Sequence, residues 1–293
     1  MPDAVYRRDG DLYVPTQWAG GPWSTQTQHG GPVNALLASA MVEAAEETGF
    51  EPARITIDLL GPVPMKPLRL ERTYARRGRR HAVVLATLLD DDRAVARATG
   101  VLFRPNEGLE ASWEHEDAPL PPPDGLESTP LMHKAYQKHA PPGFHWSLEV
   151  RIVPGPLAAA WIRTPLELIE GERMQPILHA AAVSDLTYGL AARTMLKRGF
   201  TPADRKRVML INTDTNLFFE RAPVGEWFGF RHEIVADRRG IGLAEVTQFD
   251  RHEIVADRRG IGLAEVTQFD ERGRYGRALQ VTIAQAPEAR PSG

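Results

Sequence analysis

At 293 residues, with 42% hydrophobic and 25% charged residues, the chain has the composition of a folded protein and enough length for one large core or two ordinary ones. Its 35 basic and 38 acidic residues leave a formal charge of −3, which points to no nucleic-acid partner and no anionic membrane surface. Cysteine is absent, so thiol nucleophiles, disulfides and thiolate metal sites are excluded together.

The first residues lack the apolar stretch of a secretory signal, and no segment approaches the ~18 uninterrupted apolar residues of a membrane span. A cytoplasmic protein is expected. Gly30-Gly31-Pro32 then opens a run of small and apolar residues from Val33 to Ala45. Proline suits a first helical turn, where its missing N–H has no partner to lose, and Gly49 is a fitting stop. The run is apolar around most of its circumference, so it predicts a largely buried helix. Alternating strands follow at 54–60, 68–75, 82–89 and 94–103. The polar turns 76–80 and 90–93 between the last three are short enough for hairpins.

Seven prolines crowd residues 114–145, a stretch of little periodicity that reads as a linker. The pattern then repeats. Strands at 150–154 and 157–163 precede a helix opened by Pro176 and running to about Arg193, and strands resume at 208–221, 226–235 and 276–284. A helix with its own antiparallel sheet is thus stated twice, which predicts two fused modules, 1–113 and 146–288, in an α+β fold.

Residues 231–250 recur without change at 251–270. Two copies do not make a solenoid. Identity at every position marks a recent tandem duplication or a fault in the recorded sequence, not a functional repeat. The unit is itself strand, Asp-Arg-Arg-Gly turn, strand. Protrusion of an extra hairpin near the 237–240 turn is expected, because a register slip would reverse the buried faces of the flanking strands.

Asp185 is the sharpest candidate for chemistry. It lies four residues beyond Ala181 on the apolar stripe of the second predicted helix, and a carboxylate on a buried face is costly unless paired or functional. An acid at the edge of the stripe, reaching solvent, is the plainer alternative. Alternation along 211–219 places Asn212, Asp214 and Asn216 on one face and Thr213 and Thr215 on the other. That polar half-strand either lines a site or is a solvated strand end. Gln280 sits in a strand that should be partly buried. His29-Gly30-Gly31 precedes the first long helix, where unpaired N–H groups gather and glycine lets a ligand approach, as a carbonyl oxygen developing negative charge requires. A glycine-rich turn with a surface histidine remains the bland reading. The nine histidines show no metal-ligand spacing, and no metal is expected. No nucleophile elbow or phosphate-binding glycine loop occurs.

Together these segments resemble the acyl-CoA thioesterase II-like, double-hotdog family. The resemblance rests on His29-Gly30-Gly31-Pro32, the stretch Ile57-Asp58-Leu59-Leu60-Gly61-Pro62-Val63-Pro64, Val183-Ser184-Asp185-Leu186, the strand 212–221, Pro223-Val224-Gly225-Glu226-Trp227 and the closing strand with Gln280. It implies a double hotdog that hydrolyses acyl-CoA to a free acid and coenzyme A, with no cofactor, in a homo-oligomer. The family site pairs an aspartate on the second hotdog helix with a threonine on the next strand and a glutamine on the last, and these position the attacking water. Asp185 and Gln280 match. The threonine position falls on Asn212, with Thr213 beside it. Two other readings stand: an acyl-CoA or lipid-binding protein without turnover, and an enoyl-CoA hydratase. Hotdog hydratases carry a histidine five residues after the aspartate, where this chain has Leu190.

Overall fold

The computed structural model describes residues 3–105, 120–131, 140–155, 158–186, 209–237, 241–245 and 261–285, with the backbone alone over most of the strands that carry the repeat. The first half consists of β1 (Ala4–Asp9), β2 (Leu12–Pro15), a 3₁₀ turn at Gln17–Ala19, α1 (Gly30–Thr48), β3 (Glu51–Leu59), β4 (Leu68–Arg77), β5 (His81–Asp90) and β6 (Arg93–Phe103). The remainder consists of β7 (Ser128–Thr129), α2 (Phe144–Ser147), β8 (Glu149–Val153), β9 (Ala158–Arg163), β10 (Glu167–Ile169), α3 (Pro176–Ser184), β11 (Met209–Asn212), β12 (Asp214–Phe219), β13 (Phe228–Asp237), β14 (Ile241–Glu245), β15 (Ile261–Asp270) and β16 (Gly273–Gln285).

α1 is buried as its composition predicts. Val33, Leu36, Leu37 and Met41 are fully enclosed, and the alanines between them let β3, β5 and β6 wrap closely. Each enclosed leucine or methionine contributes roughly 1.5–3 kcal/mol through the apolar surface it removes from water. Gly100 on β6 provides the notch for Met41, since a Cβ there would collide with the thioether. Gly49 ends the helix in a left-handed conformation at φ 67°, its N–H returning to the Ala45 carbonyl.

The sixteen strands among the described residues belong to one sheet. The halves meet where β3 pairs antiparallel with β12, from Asp58 opposite Asp214 to Arg54 opposite Phe218. They interlock again where β10 of the later half lies parallel to β1. A buried hydrogen bond of 3.1 Å from Asn34 on α1 to Thr215 on β12 crosses the same junction. α1 and α3, each against its own part of an antiparallel-dominated sheet, make the expected α+β double hotdog.

Three features depart from the sequence reading. The second helix ends at Ser184, with Asp185 as its C-terminal cap; the expected continuation beyond Leu186 lies outside the described residues. The strand expected at 208–221 breaks at Thr213, because Asn212 faces Thr282 and Asn216 faces Leu279, one residue fewer on β16 than on the other strand.

The duplicated hairpin is the third. It does not simply protrude: β14 enters the sheet between β13 and β15, antiparallel to the first and parallel to the second. Pairing satisfies backbone groups that a free hairpin edge would leave open. The register is nevertheless preserved. Continuing the β13–β14 ladder would set Arg231 against Thr247, and Arg231 instead faces Thr267, the same residue of the second copy. The sheet therefore receives the same sequence at that place whichever copy supplies it.

Candidate active site

The segment before α1 is held from several sides. The His29 N–H donates to the Ala19 carbonyl at 2.8 Å, and the Gln28 N–H to Val63 at 2.8 Å. The Gln28 side chain accepts from the Tyr6 hydroxyl at 2.6 Å and donates to the Pro64 carbonyl at 2.8 Å. Burial pushes the Tyr6 phenol strongly upward, so it remains a donor at any ordinary pH. His29 thus enters α1 in a fixed extended conformation, φ −74° and ψ 144°, and its Nδ1 accepts the Gly31 N–H at 3.0 Å as a helix N-cap.

α3 brings its C-terminal end to this point. A Cβ on Gly31 would run into the Ala182 carbonyl, so the two helices approach backbone to backbone and only glycine fits. Asp185 follows directly. Its Oδ2 lies 3.0 Å from His29 Nδ1, with the two side chains only 8% and 11% exposed. Its Oδ1 accepts from Asn212 Nδ2 at 3.0 Å, and the same nitrogen reaches the Asp185 carbonyl at 3.2 Å. Those two acceptors fix the amide orientation, since only the NH₂ side can face them. Asn212 Oδ1 then points away, buried and without a hydrogen-bond partner.

α2 closes the other side. The Phe144 ring packs 5.4 Å from His29, and the His145 ring lies nearly parallel to it at 6.3 Å. Burial pushes the His145 imidazole down to about 3, reinforced by the proximity of His29 and opposed by the Pro141 carbonyl, which makes no well-formed hydrogen bond to either ring nitrogen.

His29, Gly30, Gly31, Asp185 and Asn212, singled out from sequence, therefore meet, and His29 is not the surface histidine of the bland reading. Gln280 occupies the position on β16 two residues before Thr282, the partner of Asn212. Thr213 sits in the break between β11 and β12, where its carbonyl accepts the Leu59 N–H at 2.8 Å. Phe144 and His145 were missed. They fall where the Pro-rich stretch ends, and the aromatic run 144–146 after Gly143 was the available signal. Among the described residues no group of three His, Asp or Glu side chains could hold a metal ion. Nor is any described helix long and apolar enough to cross a membrane.

Residues 19–103 match the family of acyl-CoA thioesterase N-terminal domains, and residues 114–259 the family of acyl-CoA thioesterase C-terminal domains. Similar solved structures include a TesB protein of Mycobacterium avium subsp. paratuberculosis, 18% identical over 95% of each chain with a TM-score of 0.58. The acyl-CoA thioesterase II TesB2 of Mycobacterium marinum is 17% identical over 96% of this chain and 95% of its own, with a TM-score of 0.59. A hotdog-fold protein of unknown function from Alicyclobacillus acidocaldarius is 17% identical over 96% and 95%, with a TM-score of 0.62. No curated protein matches the sequence. The chain belongs to the acyl-CoA thioesterase family, and is a thioester hydrolase of double-hotdog architecture.

Proposed function

We propose that this protein hydrolyses acyl-CoA thioesters by direct attack of a water activated by Asp185, whose carboxylate Asn212 holds in place. The observation that supports it most is the meeting of a buried carboxylate from the later half with the amide-rich start of α1 from the earlier half. A water donating one hydrogen to Asp185 keeps a lone pair for the carbonyl carbon. Asparagine can fill the family's threonine position without a hydroxyl by holding the Asp185 carboxylate and backbone carbonyl through its amide N–H groups. The proton passes to Asp185 as the C–O bond forms. Backbone N–H groups of Gly30 and Gly31 stand at the positive end of the α1 dipole, where an oxyanion is stabilised. Collapse of the tetrahedral intermediate breaks the C–S bond, and the proton on Asp185 neutralises the leaving thiolate. No covalent acyl-enzyme is needed. Gln280 and Thr213 are read as contacts to the water and substrate.

The same reading takes 1–113 and 146–288 as the two modules, the acyl chain between them, in a cytoplasmic homo-oligomer. The test is hydrolysis of a panel of acyl-CoA substrates by the full chain and by Asp185→Asn. Loss of roughly 10²–10⁴ in turnover is expected from removing a general base. Full activity in that variant ends the assignment, and tight binding of acyl-CoA without turnover by the parent chain makes it a binding protein.

A further inference from the structure

Two indoles among the described residues are largely open to solvent, Trp23 at 59% and Trp146 at 47%, whereas Trp161 and Trp227 are buried. Both exposed rings stand on segments that bracket His29. Trp146 is edge-on to His145 at 6.4 Å, and His145 is nearly parallel to His29 at 6.3 Å. Two ring-to-ring steps therefore lead from His29 to the surface. Trp23 lies on the loop that runs directly into His29. The Gly21 N–H closes the base of that loop on the Thr27 carbonyl at 3.3 Å, and the Gln26 N–H closes its tip on the Ser24 hydroxyl at 3.0 Å.

The backbones that carry the two rings are locked to each other. The Phe144 N–H donates to the Gly20 carbonyl at 3.0 Å, and a Cβ on Gly143 would collide with that same carbonyl. The Trp146 N–H returns to the Gly143 carbonyl at 2.9 Å, and the Ser147 hydroxyl donates to the Phe144 carbonyl at 2.8 Å. Each indole leaves the chain three residues beyond this glycine contact. Backbone held in this way has little freedom left to lose when a ligand covers the rings. Their neighbours are polar: Ser24, Thr25 and Gln26 on one segment, Ser147 on the other. Such a setting offers no broad apolar face to a second protein, which needs on the order of 1,000 Å² or more. It suits one flat group with polar edges.

We propose that Trp146 and Trp23 are specificity-determining residues that take the adenine base of a coenzyme A thioester by stacking. With the thioester carbonyl at Gly30, Gly31 and Asp185 and the acyl chain running inward between the modules, the coenzyme leaves on the solvent side, where these rings stand. Adenine is the aromatic part of that ligand, and a base presents its π-face to an indole without needing a particular hydrogen-bonding partner. The two rings thereby select coenzyme A thioesters over the same acyl group carried on pantetheine, which lacks the base. This deepens the hydrolytic reading above and rests on it.

The test compares one acyl group on coenzyme A and on pantetheine, with the full chain and two double variants. Trp23→Ala with Trp146→Ala should raise KM for the coenzyme A thioester about tenfold, as for one lost base–aromatic stack. The KM for the pantetheine thioester, and kcat for both substrates, should stay within about threefold. Trp23→Phe with Trp146→Phe keeps a stacking face and should restore most of the lost affinity. Indoles that served only to hold the fold would alter both substrates alike, so an equal change in the two, or none, overturns the proposal. Calorimetric titration of the unliganded proteins with free coenzyme A and with pantetheine gives the second arm. The parent should bind coenzyme A at least about tenfold more tightly, and the alanine variant should lose that margin. A parent that binds the two equally overturns the proposal even where hydrolysis is intact. Absence of turnover in the parent ends the hydrolase reading, and the titration still decides what the indoles hold.

Discussion

The Asp185 carboxylate rests against the Cα of Gly30: a Cβ on that glycine would lie 2.7 Å from Oδ1 and 2.8 Å from both Cγ and Oδ2. The neighbouring Gly31 meets backbone instead, at the Ala182 carbonyl. Two adjacent glycines thus guard different things, one a side-chain position and the other a helix–helix approach. Gly30→Ala should fold and displace the carboxylate, lowering kcat about 10²-fold, since about 1 Å of misplacement costs that much. Gly31→Ala has no flexible neighbour to yield and should lose about 2–3 kcal/mol of stability, the upper range for overpacking. Denaturant unfolding and steady-state kinetics on both variants separate the two effects. Equal loss of stability in both would remove the distinction.

The long elements were legible because their periodicity is strong. α1 carries an all-round apolar run between Pro32 and Gly49, and β4, β5 and β6 alternate over ten residues or more. β1, β2 and α2 were not legible. They are four to six residues long, and what holds them is supplied from far along the chain: β10 beside β1, and the Gly20 carbonyl accepting the Phe144 N–H at 3.0 Å. The site was legible in its residue types and not in its wiring. A buried acid on an apolar helix predicts a partner, and the resemblance set Asn212 with it, but Nδ1 of His29 could not be assigned to it before the halves were docked. The reading of Asp185 as a mid-helix residue failed for a related reason. Its carboxylate is held by Asn212 and His29 at the point where α3 ends.

Asn212 should matter through the amide nitrogen that holds Asp185. Asn212→Ala removes a hydrogen bond to a buried carboxylate and a second to the Asp185 carbonyl, at a cost of about 1.5–3 kcal/mol for the charged one. It also releases the carboxylate proposed as the base from its fixed position, so turnover should fall further than stability suggests. Asn212→Asp keeps the shape and places a second carboxylate against the first. Like charges at that distance share a proton, raising one of the two apparent values. The acidic limb of kcat/KM should therefore move to higher pH by a unit or more. A limb that stays in place would separate Asn212 from the base.

Removal of residues 251–270, leaving 273 residues, should be tolerated. Thr247 would then take the place of Thr267 opposite Arg231, and the β11–β16 ladder with Asn212 opposite Thr282 is untouched. The shortened chain is expected to be at least as stable in urea and to keep its turnover within about threefold, since an identical sequence then fills the place opposite β13. Unfolding of the shortened chain would show instead that β14 and the ladder it makes with β13 are required.

Acid should destabilise this protein through two buried histidines. Burial pushes the imidazole of His145 from an ordinary 6.5 down to about 3 and that of His179 down to about 4, the latter against the opposing pull of Glu226. Above pH 6.5 both are neutral in the folded and unfolded chains, and neither contributes a slope. Between about 6.5 and 4 the unfolded chain takes up protons that the folded one refuses, so stability falls with acid by about 1.4 kcal/mol per pH unit for each histidine. Once pH passes below the folded values, the native state protonates too and the slope disappears. His179→Gln leaves His145 in place and should flatten the dependence by one histidine's share, when unfolding free energies are compared at pH 7, 6 and 5. His179 packs against Phe228, away from Asp185 and His29, so kinetics at pH 7 should be unchanged in that variant. A pH dependence identical to the parent's would mean that His179 is already protonated in the folded chain.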